Sequence, residues 1–397
     1  MLNCKIDRLD DFGRGITKVN DKVCFVSNAL DEEVVEVIID NEKSKYMEGH
    51  STKIIEENSN RVNPVCPYYL ECGGCSLMHA SYDYQLGFKK NKVINALNRY
   101  SGINGVVKGV IPTKQFNYRN KVTLKVVNGK IGYYKRNSHE IVSIDNCLLC
   151  SDKINEVIKD LSEIELKNID EVMIRSNYKN EVLLVLKGRN ITIPNIEKYQ
   201  NVVLINNNKE KVIKGNNYLI DKINNMLFRV SYDSFFQVNS VGVEKLYEKV
   251  KEYVKGKNVL DLYCGTGTIG LSIASKCSNI FGVEIVKNAI LDANYNKELN
   301  RISNADFLCN DVARVKEKFK DIDLVIIDPP RSGLSKDAIK NIMDINSSTI
   351  IYVSCDVLTL SRDLNILKEK YNIKSVDVVD MFPNTYHCES ITVLERR

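Results

Sequence analysis

The sequence predicts a multidomain α/β protein: a small N-terminal β-barrel over residues 1–60, a sheet-rich α+β middle over 61–230 and a doubly wound, Rossmann-like α/β domain over 231–397. Three observations predict it. The first sixty residues read as short strands separated by turn signals. The pattern breaks near Asn63-Pro64 into the cysteine-rich CPYYLECGGC, and helical periodicity follows. The last third alternates short apolar strands with helices. At 397 residues the chain exceeds one ordinary domain.

KVCFV, EEVVEVII and STKIIEE are the barrel strands, parted by DDFGRG and SNALDEE. Sixty residues of this kind suit an oligonucleotide-binding-type barrel. SYDYQLGFKKNKVINALNRY is predicted as a helix over about residues 82–100 that packs on the C-terminal domain. KVTLKVV, EVLLVL, NNYLI and MLFRVS are strands of the middle region, with one helix near SDKINEVIKDL. After YDSFFQVN comes the helix VGVEKLYEKVKEYV, then NVLDLY, NIFGVEI, LVIIDP and TIIYVSC. These are short, β-branched and almost continuously apolar, as strands buried on both faces must be, so a parallel sheet is expected.

Hydrophobic residues make up 44% and charged residues 27%, a globular balance, and no apolar run is long enough to span a bilayer. The opening MLNCKIDRLDDFGRG is charged and lacks the apolar segment of a secretory leader, so a cytoplasmic monomer is expected, with its twelve cysteines as thiols or metal ligands rather than disulfides. Charge is unevenly spread: residues 1–60 carry about 8 Lys/Arg against 13 Asp/Glu, and residues 61–150 about 13 against 4. The basic stretch is interleaved with Tyr118, Tyr133 and Tyr134, side chains suited to stacking bases beside cations that pair phosphates; a solvated Lys-rich sheet face accounts for it equally well.

In VLDLYCGTGTIGLSIA a strand runs into Gly265, Gly267 and Gly270 and then a helix, so bare backbone can approach a ligand at the strand's C-terminal edge. The next strand ends in Glu284, where a carboxylate can accept both ribose hydroxyls. Asp261 lies at the turn, attractive to a cationic amino acid and hostile to a pyrophosphate. The segment therefore looks like the first motif of S-adenosylmethionine-dependent methyltransferases. Asn310-Asp311 could bind the adenine or simply form a turn.

LVIIDPP ends in Asp328-Pro329-Pro330-Arg331 and TIIYVSC ends in Cys355, so both project to the edge that carries the glycine turn. MFPNTYHCES places Glu389 just ahead of a final apolar strand. A thiol and a carboxylate in one crevice suit covalent chemistry on a uracil ring: addition of a thiolate to C6 activates C5, and a base later removes the C5 proton. Arg331 could stabilise the enolate or orient a phosphate.

Cys66, Cys72 and Cys75 lie within ten residues around Gly73-Gly74, with Cys147 and Cys150 far downstream. Zinc sites usually use matched C-x-x-C pairs, whereas here the first pair is stretched, which favours four-thiolate iron-sulfur ligation. Spacing alone leaves zinc, and the choice between Cys147 and Cys150, open.

Taken in order, FFQVN, DLYCGTGTIG, DPPRSGL, YVSC and HCES resemble the RNA uracil-C5 methyltransferase family, and with the β-segment and cysteine loop the resemblance spans nearly the whole chain. It is nearest the bacterial 23S ribosomal RNA branch, which has a TRAM-type barrel, an iron-sulfur central domain and a catalytic domain. The resemblance implies Gln237, Tyr263, Gly265, Glu284 and Asp328 around S-adenosylmethionine, Cys355 as nucleophile and Glu389 as base. It also implies a [4Fe-4S] cluster on Cys66, Cys72, Cys75 and Cys147, with 23S ribosomal RNA as partner. The chain departs from the pattern at Cys355-Asp356-Val357 (often Cys-Asn-Pro), Ser27-Asn28 (Pro-Gly) and Asn384 (His). Transfer RNA as substrate, a non-catalytic RNA-binding assembly factor and a radical enzyme using three cysteines are the alternatives; intact Cys355 and Glu389 speak against the second.

Overall fold

The computed structural model describes residues 2–397 except 137, 316–318 and 320. Its first body is a six-stranded sheet of β1 (Leu2–Lys5), β2 (Arg8–Leu9), β3 (Gly15–Val19), β4 (Lys22–Ser27), β5 (Val34–Glu42) and β6 (Tyr46–Glu56), ordered β1-β5-β6-β4-β3-β2. The two end strands are consecutive in the chain, so residues 2–9 pass from pairing with β5 to pairing with β3 and curl the sheet into a barrel. Alternate residues point inward, and Cys24, Val26, Val35 and Val37 form the centre of its core.

Helix α1 (Tyr82–Ser101) is capped by Ser81 and ended by Gly102, whose φ of 66° and N–H bond to the Asn98 carbonyl make the usual left-handed stop. Its buried stripe is Gln85, Lys89, Val93, Ala96 and Leu97, and it packs on the C-terminal domain. Strand β7 (Val107–Ile111) follows it onto the same domain.

Next come β8 (Lys121–Val127), β9 (Lys130–Tyr134), β10 (Ile141–Ser143), α2 (Asp152–Ser162), β11 (Ile169–Ser176), β12 (Val182–Gly188), β13 (Asn201–Asn206) and β14 (Lys209–Lys214). Their strands form a seven-stranded sheet, with α2 buried against one face through Ile154, Val157, Ile158 and Leu161. The hairpin β15 (Tyr218–Ile223) and β16 (Met226–Ser231) leads into α3 (Ser240–Tyr253).

The C-terminal domain holds β17 (Asn258–Leu262), α4 (Thr268–Ile273), β18 (Asn279–Glu284), α5 (Lys287–Leu299), β19 (Ala305–Cys309), β20 (Leu324–Ile327), α6 (Lys336–Ile345), β21 (Thr349–Ser354), α7 (Val357–Leu367), β22 (Tyr371–Val379) and β23 (Glu389–Arg396). The sheet order is β19-β18-β17-β20-β21-β23-β22-β7. The order reverses between β17 and β20, the switch point where open α/β sheets bind ligands. An all-parallel sheet is corrected here: β23 runs antiparallel to both β21 and β22. A short connection of residues 380–388 returns the chain directly into β23, and only an antiparallel neighbour can be reached that way. Among the described residues no helix is long and apolar enough to cross a membrane.

Candidate active site

The carboxyl ends of β17, β18, β20 and β21 converge, and each delivers a sequence-predicted residue. At β17 the buried Asp261 accepts from the Gly270 N–H at 3.0 Å through Oδ2, while Oδ1 is buried with no partner among the described residues. Tyr263 and Gly265 then turn the chain at φ 61° and 53°, and a Cβ on Gly265 would meet nothing within 4 Å, so the turn faces open space. A tyrosine held left-handed costs roughly 1–3 kcal/mol, strain of the kind that gathers at functional sites. At the end of β18, Glu284 fastens the turn: Oε2 accepts from the Gly265 N–H at 3.3 Å and Oε1 from the Val286 N–H at 2.9 Å.

Beyond Glu284, Ile285 and Val286 stand 65% and 53% exposed, an apolar ledge that sequence reasoning missed. Its signal was two aliphatic residues directly after the strand-end acid, where a polar loop would be expected. Asn310 and Asp311 mostly satisfy the local backbone: Asn310 Oδ1 accepts from the Asp311 N–H and Asp311 Oδ1 from the Ala313 N–H, each at 2.9 Å.

Cys355 and Glu389 come together through strand register. Ser354 pairs with Ser390 across β21 and β23, so the next residue outward on each strand is Cys355 on one and Glu389 on the other. Both titrate in the field of the same neighbours. Burial, then Glu389 and Asp328, push the Cys355 thiol up to about 12, with Arg331 opposing them. Burial and then Asp328 hold Glu389 well above the ordinary carboxylate range, again against Arg331. Burial drives Asp328 up to about 7, and it does the same to Asp261, where Asp328 and Glu284 add to it. Asp261 and Glu389 are buried and Asp328 half-buried, and burial with mutual repulsion disfavours their ionised forms, against Arg331 beside Glu389.

Gln237 lies buried on the segment that leads into α3. Its carbonyl accepts from Asn120 Nδ2 at 3.2 Å, and Asn239 caps α3 while donating to the Met381 carbonyl at 2.9 Å. Asp356 replaces a capping role that asparagine can also fill: its Oδ1 accepts from the Leu358 and Thr359 N–H groups at the start of α7.

Cys66, Cys72, Cys75 and Cys147 line one cavity of about 80 Å³ together with Tyr68, Met78, Tyr133 and Leu149. Cys150 is not on its lining; it is fully buried in the core beneath α2. The Cys147 turn is clamped by Asn155, whose Oδ1 accepts from the Cys147 N–H at 2.9 Å and whose Nδ2 donates to the Cys147 and Cys150 carbonyls. A hydrogen bond from the Cys150 thiol lowers Cys147 below the ordinary thiol range, whereas burial and the thiols of Cys147, Cys72 and Cys66 raise Cys75. Among the described residues, no three His, Cys, Asp or Glu side chains converge on a point that would hold a single metal ion.

The stacking role read for Tyr118 is corrected, and Tyr133 is half-buried. Tyr118 is buried and its hydroxyl donates to the Pro383 carbonyl at 3.1 Å, and the Tyr133 hydroxyl faces Cys147 and Cys150. Tyr134 alone of the three is exposed.

Comparison with known proteins agrees with this geometry. The model of the tRNA (Uracil-5-)-methyltransferase family matches residues 81–397, and that of the TRAM domain matches residues 2–51. The chain is similar to an uncharacterized RNA methyltransferase of Clostridium tetani, 36% identical over 439 residues that cover 99% of this chain and 95% of the relative. Another from Caldanaerobacter subterraneus subsp. tengcongensis is 37% identical over 431 residues, covering 97% and 95%. Among solved structures it is similar to the Pyrococcus abyssi tRNA (uracil-54, C5)-methyltransferase in complex with S-adenosyl-L-homocysteine, at 27% identity and a TM-score of 0.83 over 99% of both chains. The chain, a TRAM barrel joined to an S-adenosylmethionine-dependent methyltransferase domain, belongs to the RNA uracil-C5 methyltransferase family.

Proposed function

We propose that the protein methylates C5 of a uridine in 23S ribosomal RNA through a transient bond between Cys355 and C6, with Glu389 as the base that completes the reaction. The observation that carries the reading is the register that sets Cys355 and Glu389 side by side at adjacent strand ends. S-adenosylmethionine, when bound, supplies an electrophilic methyl group on a sulfonium. The residues fit it: Gly265 opens on free space, Glu284 presents a carboxylate at ribose position, and the orphaned Asp261 Oδ1 and the raised Asp328 are acids in want of a cation. Gln237 and Tyr263 complete the lining.

Cys355 Sγ, as thiolate, adds to C6, and the C5=C6 electron pair moves into an enolate whose C5 takes the methyl group. Glu389 then takes the proton from C5. The freed pair restores C5=C6 and expels the Cys355 thiolate. Arg331, a cation that lowers both groups, favours the ionised forms that each must reach.

Cys66, Cys72, Cys75 and Cys147 are proposed to hold a [4Fe-4S] cluster. Their cavity of about 80 Å³ is several times the roughly 10–15 Å³ that one water-sized occupant needs, and four thiols with no carboxylate on the lining are a soft donor set. The cluster's chemistry there is ligation that fixes the loop, and methyl transfer by this route needs no electron.

A transfer RNA substrate is the second reading, favoured by the likeness to the Pyrococcus abyssi transfer RNA enzyme over 99% of the chain. Nucleoside analysis of separated ribosomal and transfer RNA from a strain lacking the gene tests both: loss of 5-methyluridine from 23S RNA is expected, and loss confined to transfer RNA would replace the substrate assignment.

A further inference from the structure

The turn that delivers Glu389 is fastened from three directions, and the fastenings meet at one residue. Asn384 is 2% exposed and adopts φ 66°, a left-handed conformation that asparagine tolerates better than most side chains. Its carbonyl accepts from the Ser76 and Leu77 N–H groups, both at 3.0 Å, and these directly follow Cys75. Its own N–H donates to Gln85 Oε1 at 2.8 Å, and Gln85 Nε2 returns a bond to Asn384 Oδ1 at 3.2 Å, a two-way clasp onto α1. Asn384 Nδ2 donates to the Gln115 carbonyl at 2.9 Å. Every polar atom of the residue is used, five positions before Glu389.

The residues just before it are held as well, by α1 again and by two other segments. Asp380 pairs with the buried Lys89, Met381 is held by Asn239 and Pro383 by Tyr118. Asn384 is where the cysteine loop itself grips the turn.

We propose that Asn384 is a positioning residue: it carries the placement of the cysteine loop and α1 to Glu389, so that removal of the C5 proton depends on it. This rests on the reading of Glu389 as the base. A base acts only within hydrogen-bond reach of its proton, and a displacement of about 1 Å can cost on the order of a hundredfold. Addition and methyl transfer use Cys355 and the glycine turn, which are anchored elsewhere and feel the change less.

The test follows single turnovers on total RNA from a strain lacking the gene, with a radiolabelled methyl donor. Adduct formation, methyl incorporation and product release are timed separately for wild type, Asn384→Gly, Asn384→Asp and Glu389→Gln. Asn384→Gly keeps the left-handed backbone and loses both side-chain bonds; Asn384→Asp keeps the acceptor to Gln85 and loses the donor to Gln115. Release in Asn384→Gly should slow at least tenfold more than adduct formation, so that a methylated protein–RNA adduct accumulates as in Glu389→Gln, with Asn384→Asp between. Should Asn384→Gly not fold, Gln85→Leu, which breaks the same clasp from α1, is judged by the same criterion. Slowing of all steps by a common factor, or release at the wild-type rate, while Glu389→Gln does accumulate adduct, refutes the positioning role and leaves the base in place. Wild-type release by Glu389→Gln refutes the base and the positioning role together.

Discussion

At the scale of single residues the site is defined by acids gathered at the sheet edge, of which Asp261 and Glu389 are buried. Glu284 bonds two backbone N–H groups in the ligand-free protein and still faces the open turn at Gly265. Glu284→Ala should weaken S-adenosylmethionine by about 1.5–3 kcal/mol, roughly ten- to a hundredfold, as read by calorimetry. Unchanged affinity would remove Glu284 from the site. Asp261 and Asp328, each raised to about 7, predict a pH dependence. A cationic ligand requires them ionised, so affinity should rise as pH climbs from about 6 to 8, by at most about tenfold per pH unit for each group, and level off above. A flat profile in buffers of different ionisation heat would contradict it. The same groups sign the stability of the ligand-free protein: their folded pKa lies above the unfolded value, so their contribution is full at low pH and is lost as pH rises through about 7. Their placement at the sheet edge was legible from the sequence because each sits at the end of an apolar run, where topology forces it there. Ile285 and Val286 were not, since an exposed aliphatic pair has no periodic signature. Tyr118 was misread for a related reason: composition shows an aromatic beside cations but not that its hydroxyl is taken by Pro383.

At the scale of elements, α1 decides how the domains are joined. Its length was readable from helical periodicity, while its partner was not, because spacing shows that a face is buried and not against what. The parallel pairing of β7 with β22 was not readable either, because a five-residue strand carries no record of its distant partner. Nor could alternation of strands and helices reveal the antiparallel β23, whose direction follows from the length of the 380–388 connection. The joint is stapled by Lys89 and Asp380, both fully buried, with Lys89 Nζ also donating to the Phe382 carbonyl at 3.0 Å. Lys89→Met leaves a buried carboxylate without its partner and should destabilise by about 3–5 kcal/mol in urea unfolding. Lys89→Met combined with Asp380→Asn should recover part of that loss. Equal stability of both variants would mean that the pair contributes nothing to the joint.

At the scale of the whole molecule, three bodies converge on the short stretch before Glu389: Phe12 of the barrel packs edge-on against Tyr386 at 5.2 Å, the cysteine loop holds Asn384, and α1 holds Lys89 and Gln85 against it. The order of domains was legible in the sequence; their convergence was not, because it depends on loops rather than on periodic elements. Anaerobically purified protein should be brown, and Cys72→Ala should lose its iron together with RNA affinity and stability. Colourless protein with stoichiometric zinc would overturn the cluster. The account as a whole stands on the covalent step, and its most direct test is to trap it with RNA in which uridine is replaced by 5-fluorouridine, since fluorine cannot leave C5 as a proton. Wild type should give a methylated protein–RNA species stable to denaturation, mapped by mass spectrometry to the peptide carrying Cys355 and missing in Cys355→Ala; attachment at Cys264 or Cys388, or methylation retained by Cys355→Ala, would contradict it.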